Sequence, residues 1–100
     1  MAIYQVALVK LTNRTATFPE YVKKSAELLA KYGAEYVVRG PAQTVVDGDY
    51  LQGRSVVVSK WPSIERAMEF WNSDEYQKNI KPLREGSGVY DIGFFPEVPK

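Results

Sequence analysis

The sequence predicts an α+β domain in which two helices cover one side of a four-stranded antiparallel sheet, in the order β-α-β-β-α-β. Three observations carry this. Four short segments rich in β-branched and aromatic residues alternate with segments whose apolar residues recur at helical spacing. Residues 54–77, RSVVVSKWPSIERAMEFWNSDEYQ, run a buried-type strand into a Trp-Pro-Ser helix start and then a second capped start at Ser73. The chain has 100 residues, no repeat and no linker, so residues 1–100 are expected to form a single domain.

Residues 2–11, AIYQVALVKL, suit a strand. Asn13 to Thr17 is a polar gap, after which Thr17-Phe18-Pro19-Glu20 fits a capping box with Pro19 in the first turn. Phe18, Val22, Ala26 and Leu29 then recur at helical spacing, and Gly33 closes that helix. Residues 34–39, AEYVVR, form the second strand, with a break at Gly40-Pro41 and a resumption over 43–46. Asp47-Gly48-Asp49 reads as a solvated turn. Ser55 to Lys60 is the third strand. Ser63 caps a helix with Ile64, Ala67, Met68 and Trp71 on one face. Ser73 caps the next, with Tyr76, Ile80 and Leu83 aligned, and Pro82 predicts a kink or early end. Residues 89–95, VYDIGFF, form the last strand, stopped by Pro96 and Pro99.

The strand faces predict assembly. In the first strand Ile3, Ala7, Val9 and Leu11 point one way, and Tyr4, Val6 and Leu8 the other. The last strand sets Val89 and Phe95 against Tyr90, Ile92 and Phe94. A sheet with one wet face should alternate apolar and polar, and these two strands are apolar on both faces. Two helices cover one side only. A chain this small buries roughly 60–70% of its unfolded surface, so a second copy packed sheet to sheet is the economical cover. Shielding by loops within a monomer is the alternative.

Composition excludes several partners. Thirteen basic and twelve acidic residues leave a net charge of +1, with no basic tract for nucleic acid or anionic membrane. The longest apolar run, Val6 to Val9, is far too short to span a bilayer. Met1 to Leu11 lacks the pattern of a secretion signal, which favours a cytoplasmic location. Zero cysteines exclude disulfide and thiolate chemistry.

The succession of motifs resembles a bacterial family known as domain of unknown function thirteen-thirty, in the dimeric α+β barrel superfamily. The matching pieces include Lys31-Tyr32-Gly33, Val38-Arg39-Gly40, Gly48-Asp49-Tyr50, Trp61-Pro62-Ser63-Ile64-Glu65-Arg66-Ala67, Trp71-Asn72-Ser73-Asp74-Glu75-Tyr76-Gln77, Arg84 and Asp91. The resemblance implies a ferredoxin-like subunit whose sheet faces its partner's, with a barrel-like cavity between them. It implies no activity. Two departures stand out: Pro41 follows Gly40 where the family often has a second glycine, and Asn72 replaces a larger or ionisable residue.

The chain has no histidine, which removes the commonest general base and metal ligand, and the proximal haem ligand of several barrel relatives. No cofactor or metal is expected. Arg39 and Asp91 are the charges that stand out against strand surroundings, because a buried charge is rarely left unpaired. Their strands fall on opposite edges, about 14 Å apart within one subunit, so a meeting would run across the dimer. In the functional reading Arg39 binds a carboxylate or carbonyl in the cavity and Asp91 acts as base. In the competing reading they form an interface salt bridge or are exposed edge charges. Tyr32, Tyr36, Tyr76, Arg84 and Asn72 complete the set of candidate binding residues, with core packing (Tyr76) and a solvated helix end (Arg84) as alternatives. The expected ligand is a small aromatic or carboxylate-bearing metabolite. A cofactor-independent isomerase, lyase or monooxygenase competes with a non-catalytic binding or sensing module, and with a purely structural homodimer.

Overall fold

The computed structural model describes residues 1–99. Strands β1 (Ile3–Leu11), β2 (Glu35–Pro41), β3 (Ser55–Trp61) and β4 (Gly88–Pro96) form one antiparallel sheet in the order β2-β3-β1-β4. Helices α1 (Phe18–Lys31) and α2 (Ile64–Asn72) connect them. A π-helix over Glu75–Ile80 and a 3₁₀ turn over Lys81–Arg84 lead into β4. This is the expected β-α-β-β-α-β order, with β2 and β4 on opposite edges.

Local chemistry explains most boundaries. Helix α1 ends in a Schellman motif: Gly33 N–H donates to Ala30 O at 3.0 Å and Ala34 N–H to Leu29 O at 3.2 Å. The motif needs a left-handed residue, and Gly33 has φ +83°. Ser63 caps α2 by accepting from Arg66 N–H at 3.1 Å, and Ser73 accepts from Tyr76 N–H at 3.2 Å. Gly88 pairs with Leu11 where a Cβ would collide with the Lys10 carbonyl, so no side chain fits there.

Five expectations are corrected. Thr17 makes no capping bond; its hydroxyl donates to Leu83 O at 2.7 Å, and Glu20 pairs with Lys24 at 2.9 Å. A tie across 66 residues has displaced the local one. Strand β2 runs through Gly40-Pro41 rather than stopping, which an edge strand permits because proline's missing N–H faces no partner. Residues 43–46 do not resume it. Helix α2 buries Ala67 and Phe70, three residues apart on one face, and leaves Ile64 and Met68 exposed. The segment after Ser73 is a π-helix and a 3₁₀ turn, with Tyr76 and Ile80 still facing inward.

Pairing registers fix the two faces. Ile3, Gln5, Ala7 and Val9 sit opposite Trp61, Ser59, Val57 and Ser55 on β3, and opposite Phe94, Ile92 and Tyr90 on β4; this face lies under the helices. The other face carries Val6, Leu8, Val56, Val58, Val89 and Phe95. Nothing in the subunit covers it fully: Val38 is 51% exposed and Phe95 54%.

Candidate functional site

The layer between helices and sheet is solid at one end and hollow at the other. At the solid end Trp61, 1% exposed, packs 4.8 Å from the Phe70 ring, and Phe70 stands 4.8 Å from Tyr76. Ile3, Leu28 and Ile80 close that cluster. Towards the other end the middle of the sheet carries the small side chains of Ala7, Val9, Val57 and Ser55. The result is a cavity of about 250 Å³, roofed by Phe18, Tyr21, Val22 and Ser25 of α1. Small strand residues beneath a helix on an otherwise aromatic layer create the void.

Its walls are mostly apolar, with polar groups in three places. The first is the β2 edge. A bulge between Tyr36 and Val38 turns both Val37 and Val38 outward, so Tyr36 and Arg39, three residues apart, share the helix face. Arg39 is exposed, and its guanidinium carbon lies 4.9 Å from the Tyr36 ring centroid. Burial raises the Tyr36 phenol above its ordinary value, and Arg39 pulls partly the other way.

The second is the floor. Trp61 Nε1 donates to Ser59 Oγ at 2.9 Å, and Ser59 donates to Gln5 Oε1 at 3.1 Å. That relay commits the Gln5 carbonyl and leaves its amide N–H groups for the cavity.

The third is the α1–β4 corner. Tyr21 and Tyr76 hydroxyls stand 3.3 Å apart, and burial together with Tyr21 drives the Tyr76 phenol far above its ordinary value. Ser87 donates to the Arg84 carbonyl, so the 2.6 Å contact between Ser87 and Tyr90 has the tyrosine as donor. Burial raises the Tyr90 phenol. Arg84 stacks here, its guanidinium carbon 4.3 Å from the Tyr90 centroid and 5.8 Å from Tyr21. Among the described residues, two buried polar side-chain atoms, Ser25 Oγ and Arg84 Nη1, have no hydrogen-bond partner.

The structure thus brings together Tyr36, Arg39 and Tyr76 around one cavity. Arg84 packs against two of its tyrosines, Tyr21 and Tyr90, but does not line it. The fold does not bring Asp91 to them. Asp91 pairs with Leu8 on the opposite face, where it accepts from Tyr50 Oη at 3.4 Å. Arg39 and Asp91 therefore sit on opposite faces as well as opposite edges. Asn72 is exposed, and Tyr32 packs edge-on against Phe70 under Arg66; neither lines the cavity. This cavity lies within the subunit, between sheet and helices. Sequence reasoning passed over Gln5, Tyr21, Ser25 and Tyr90. Tyr21 and Ser25 stand at i, i+4 beside the predicted α1 stripe, and Tyr90 alternates with Ile92 on the inward side of β4, so the signals were present.

Residues 2–98 match the family described as Domain of unknown function (DUF1330). The chain belongs to this family. No curated protein matches it. Among solved structures, this DUF1330 chain is similar to a protein of unknown function from Rhodopseudomonas palustris. That pair has 19% identity and a TM-score of 0.74, covering 98% of this chain and 84% of that one. It is also similar to SnoaB, a cofactor-independent oxygenase from Streptomyces nogalater, at 14% identity and TM-score 0.66, covering 99% and 95%. A third is an antibiotic biosynthesis monooxygenase, at 14% identity and TM-score 0.53, covering 97% and 99%. At these identities the likeness establishes the ferredoxin-like α+β fold. Among the described residues no helix is long and apolar enough to cross a membrane.

Proposed function

We propose that this protein binds a small aromatic or carboxylate-bearing metabolite in the cavity between its own sheet and helices. The single observation that carries the reading is the cavity's make-up. It has mostly apolar walls and a few convergent polar groups, among them the Ser25 hydroxyl, which is buried without a partner among the described residues. About 250 Å³ suits a molecule of one or two rings. The tyrosines at its corner stay neutral at physiological pH and serve as hydrogen-bond donors.

Chemistry in this cavity has to work without an acidic side chain, because among the described residues no Asp or Glu lines it. A base-initiated isomerase or lyase is therefore disfavoured here, since Asp91 stands on the opposite face of the sheet. The binding module stands first. A cofactor-independent oxygenase, the activity named for SnoaB, stands second; here it would need a substrate acidic enough to ionise beside Arg39, the arginine that lines the cavity.

We further propose that the outer sheet face is the contact of a homodimer. Its support is the apolar row Val6, Leu8, Val56 and Val58, left open by the subunit's own helices. Sedimentation equilibrium should give a dimer for the wild type and a monomer for Val58→Glu.

A thermal-shift screen of aromatic acids, phenols and their amides tests the binding reading. Several members should raise the wild-type melting temperature and leave Ala7→Leu, whose added methyl groups occupy the cavity, unmoved. Equal shifts in both proteins would refute it. Oxygen uptake with any hit then separates the two readings.

A further inference from the structure

Strand pairing lays the floor of the cavity out in rows. Arg39 on β2, Val57 on β3, Ala7 on β1 and Ile92 on β4 form one row across the sheet, and all four line the cavity. Ala7 has the smallest side chain of the row, so the space above the floor is deepest there. Arg39 stands two strand spacings away, roughly 10 Å along the same row. Among the described residues it is the only lining residue that carries a charge, and it has no carboxylate within ion-pair distance. One unpaired positive charge beside an apolar space favours an anion.

The cavity has an open side and a closed one, and they differ in chemistry. Arg39 is exposed, and at its neighbour Gly40, which also lines the cavity, an added Cβ would meet nothing within 4 Å. The β2 side is therefore the open one. Here the guanidinium rests over the Tyr36 ring, 4.9 Å from carbon to centroid, which occupies its face and leaves its N–H edge free. On the closed side stand Tyr76, 2% exposed, and its hydroxyl partner Tyr21. A carboxylate pushed to that side would give up its hydration against an apolar wall. At Arg39 it keeps part of its water and gains a fork of donors that matches its two oxygens.

We infer that Arg39 is the carboxylate anchor of this cavity: it holds the acid group of an aromatic monoacid at the open β2 side, with the ring laid inward over Val57 and Ala7. The inference rests on the binding reading above and adds the charge of the ligand and the direction in which it enters. It also gives the β2 bulge a consequence for binding. Without the extra residue between Tyr36 and Val38, strict alternation would turn Arg39 to the other face of the sheet.

Isothermal titration of 2-naphthoate and 2-naphthamide at neutral pH, two ligands of one shape and different charge, tests it. The wild type should bind the acid about fivefold tighter than the amide. Arg39→Gln, a change at an exposed edge residue that the fold should tolerate, should abolish that preference by weakening the acid alone. Arg66→Gln removes one positive charge outside the cavity and should keep the preference. Ala7→Leu should lose both ligands. Equal wild-type affinity for acid and amide would overturn the inference while leaving the cavity reading intact. So would a preference that survives Arg39→Gln, or one that Arg66→Gln reduces equally. Acid binding that persists in Ala7→Leu would place the carboxylate at Arg39 without the cavity, and would overturn it too. Binding of neither ligand at millimolar concentration would remove the cavity reading and the inference with it.

Discussion

One helix–sheet interface holds two regions built on opposite rules. At the Trp61 end every space is filled: Ile3, Phe70, Tyr76 and Ile80 are buried, and aromatic rings stand 4.8–6.4 Å apart. At the Ala7 end the same strands carry small side chains and the same helix carries a serine, and a void remains. The backbone geometry is continuous between them. Side-chain volume therefore separates the packed end from the hollow one, and if the hollow end binds a ligand as proposed, stability and binding should respond to different mutations.

The sharpest way to break the comparison is to exchange the two rules. Trp61→Ala should cost about 3–5 kcal/mol, because it empties a site ringed by Phe70 and Phe94. Urea unfolding at constant m-value would measure it. Ala7→Leu should change stability by less than about 1.5 kcal/mol, because the new methyl groups enter existing space, and it should abolish ligand binding. A large stability loss at Ala7, or a small one at Trp61, would erase the distinction.

An alkaline titration sharpens it next. Tyr36, Tyr76 and Tyr90 all have folded values raised above the ordinary 10.0. The folded state then holds these protons more tightly than the unfolded chain does. Their contribution is fully present below pH 10 and is lost as pH rises beyond it. Melting temperature should be insensitive to these groups at neutral pH and fall above about pH 10, and Tyr76→Phe should make that fall shallower. An identical alkaline profile in Tyr76→Phe would contradict the buried-phenol assignment.

The smallest effect belongs to the cavity rim. Thr17→Val removes the bond to Leu83 O that ties the start of α1 to the 3₁₀ turn carrying Arg84. About 0.5–1.5 kcal/mol should be lost. Urea unfolding would measure the loss, and an unchanged midpoint would mean that the turn is held by other contacts.

Much of this architecture is legible before any coordinates. The Gly33 cap, the Ser63 and Ser73 caps and the alternation in β1 and β4 are local signals, and local physics governs them. The two apolar sheet faces could be read because period-2 patterning survives in those strands. The site was harder. Arg39 and Tyr36 share a face only because β2 bulges, and strict alternation puts them on opposite sides. Thr17 reads as a helix cap until a residue 66 positions away takes its hydroxyl. The cavity is a shortage of volume, and a shortage between elements distant in sequence leaves no motif. Asp91 drew attention as a charge in an apolar strand, yet its register with Leu8 sends it to the other face.

The central claim is that each subunit holds its own ligand site, between its sheet and its helices. Native mass spectrometry of protein purified directly from cells, followed by saturation with 2-naphthoate, tests it through stoichiometry. The account predicts one ligand per subunit, hence two per dimer, and none in Ala7→Leu. One ligand per dimer, undiminished in Ala7→Leu, would place the site between the two sheets and contradict it.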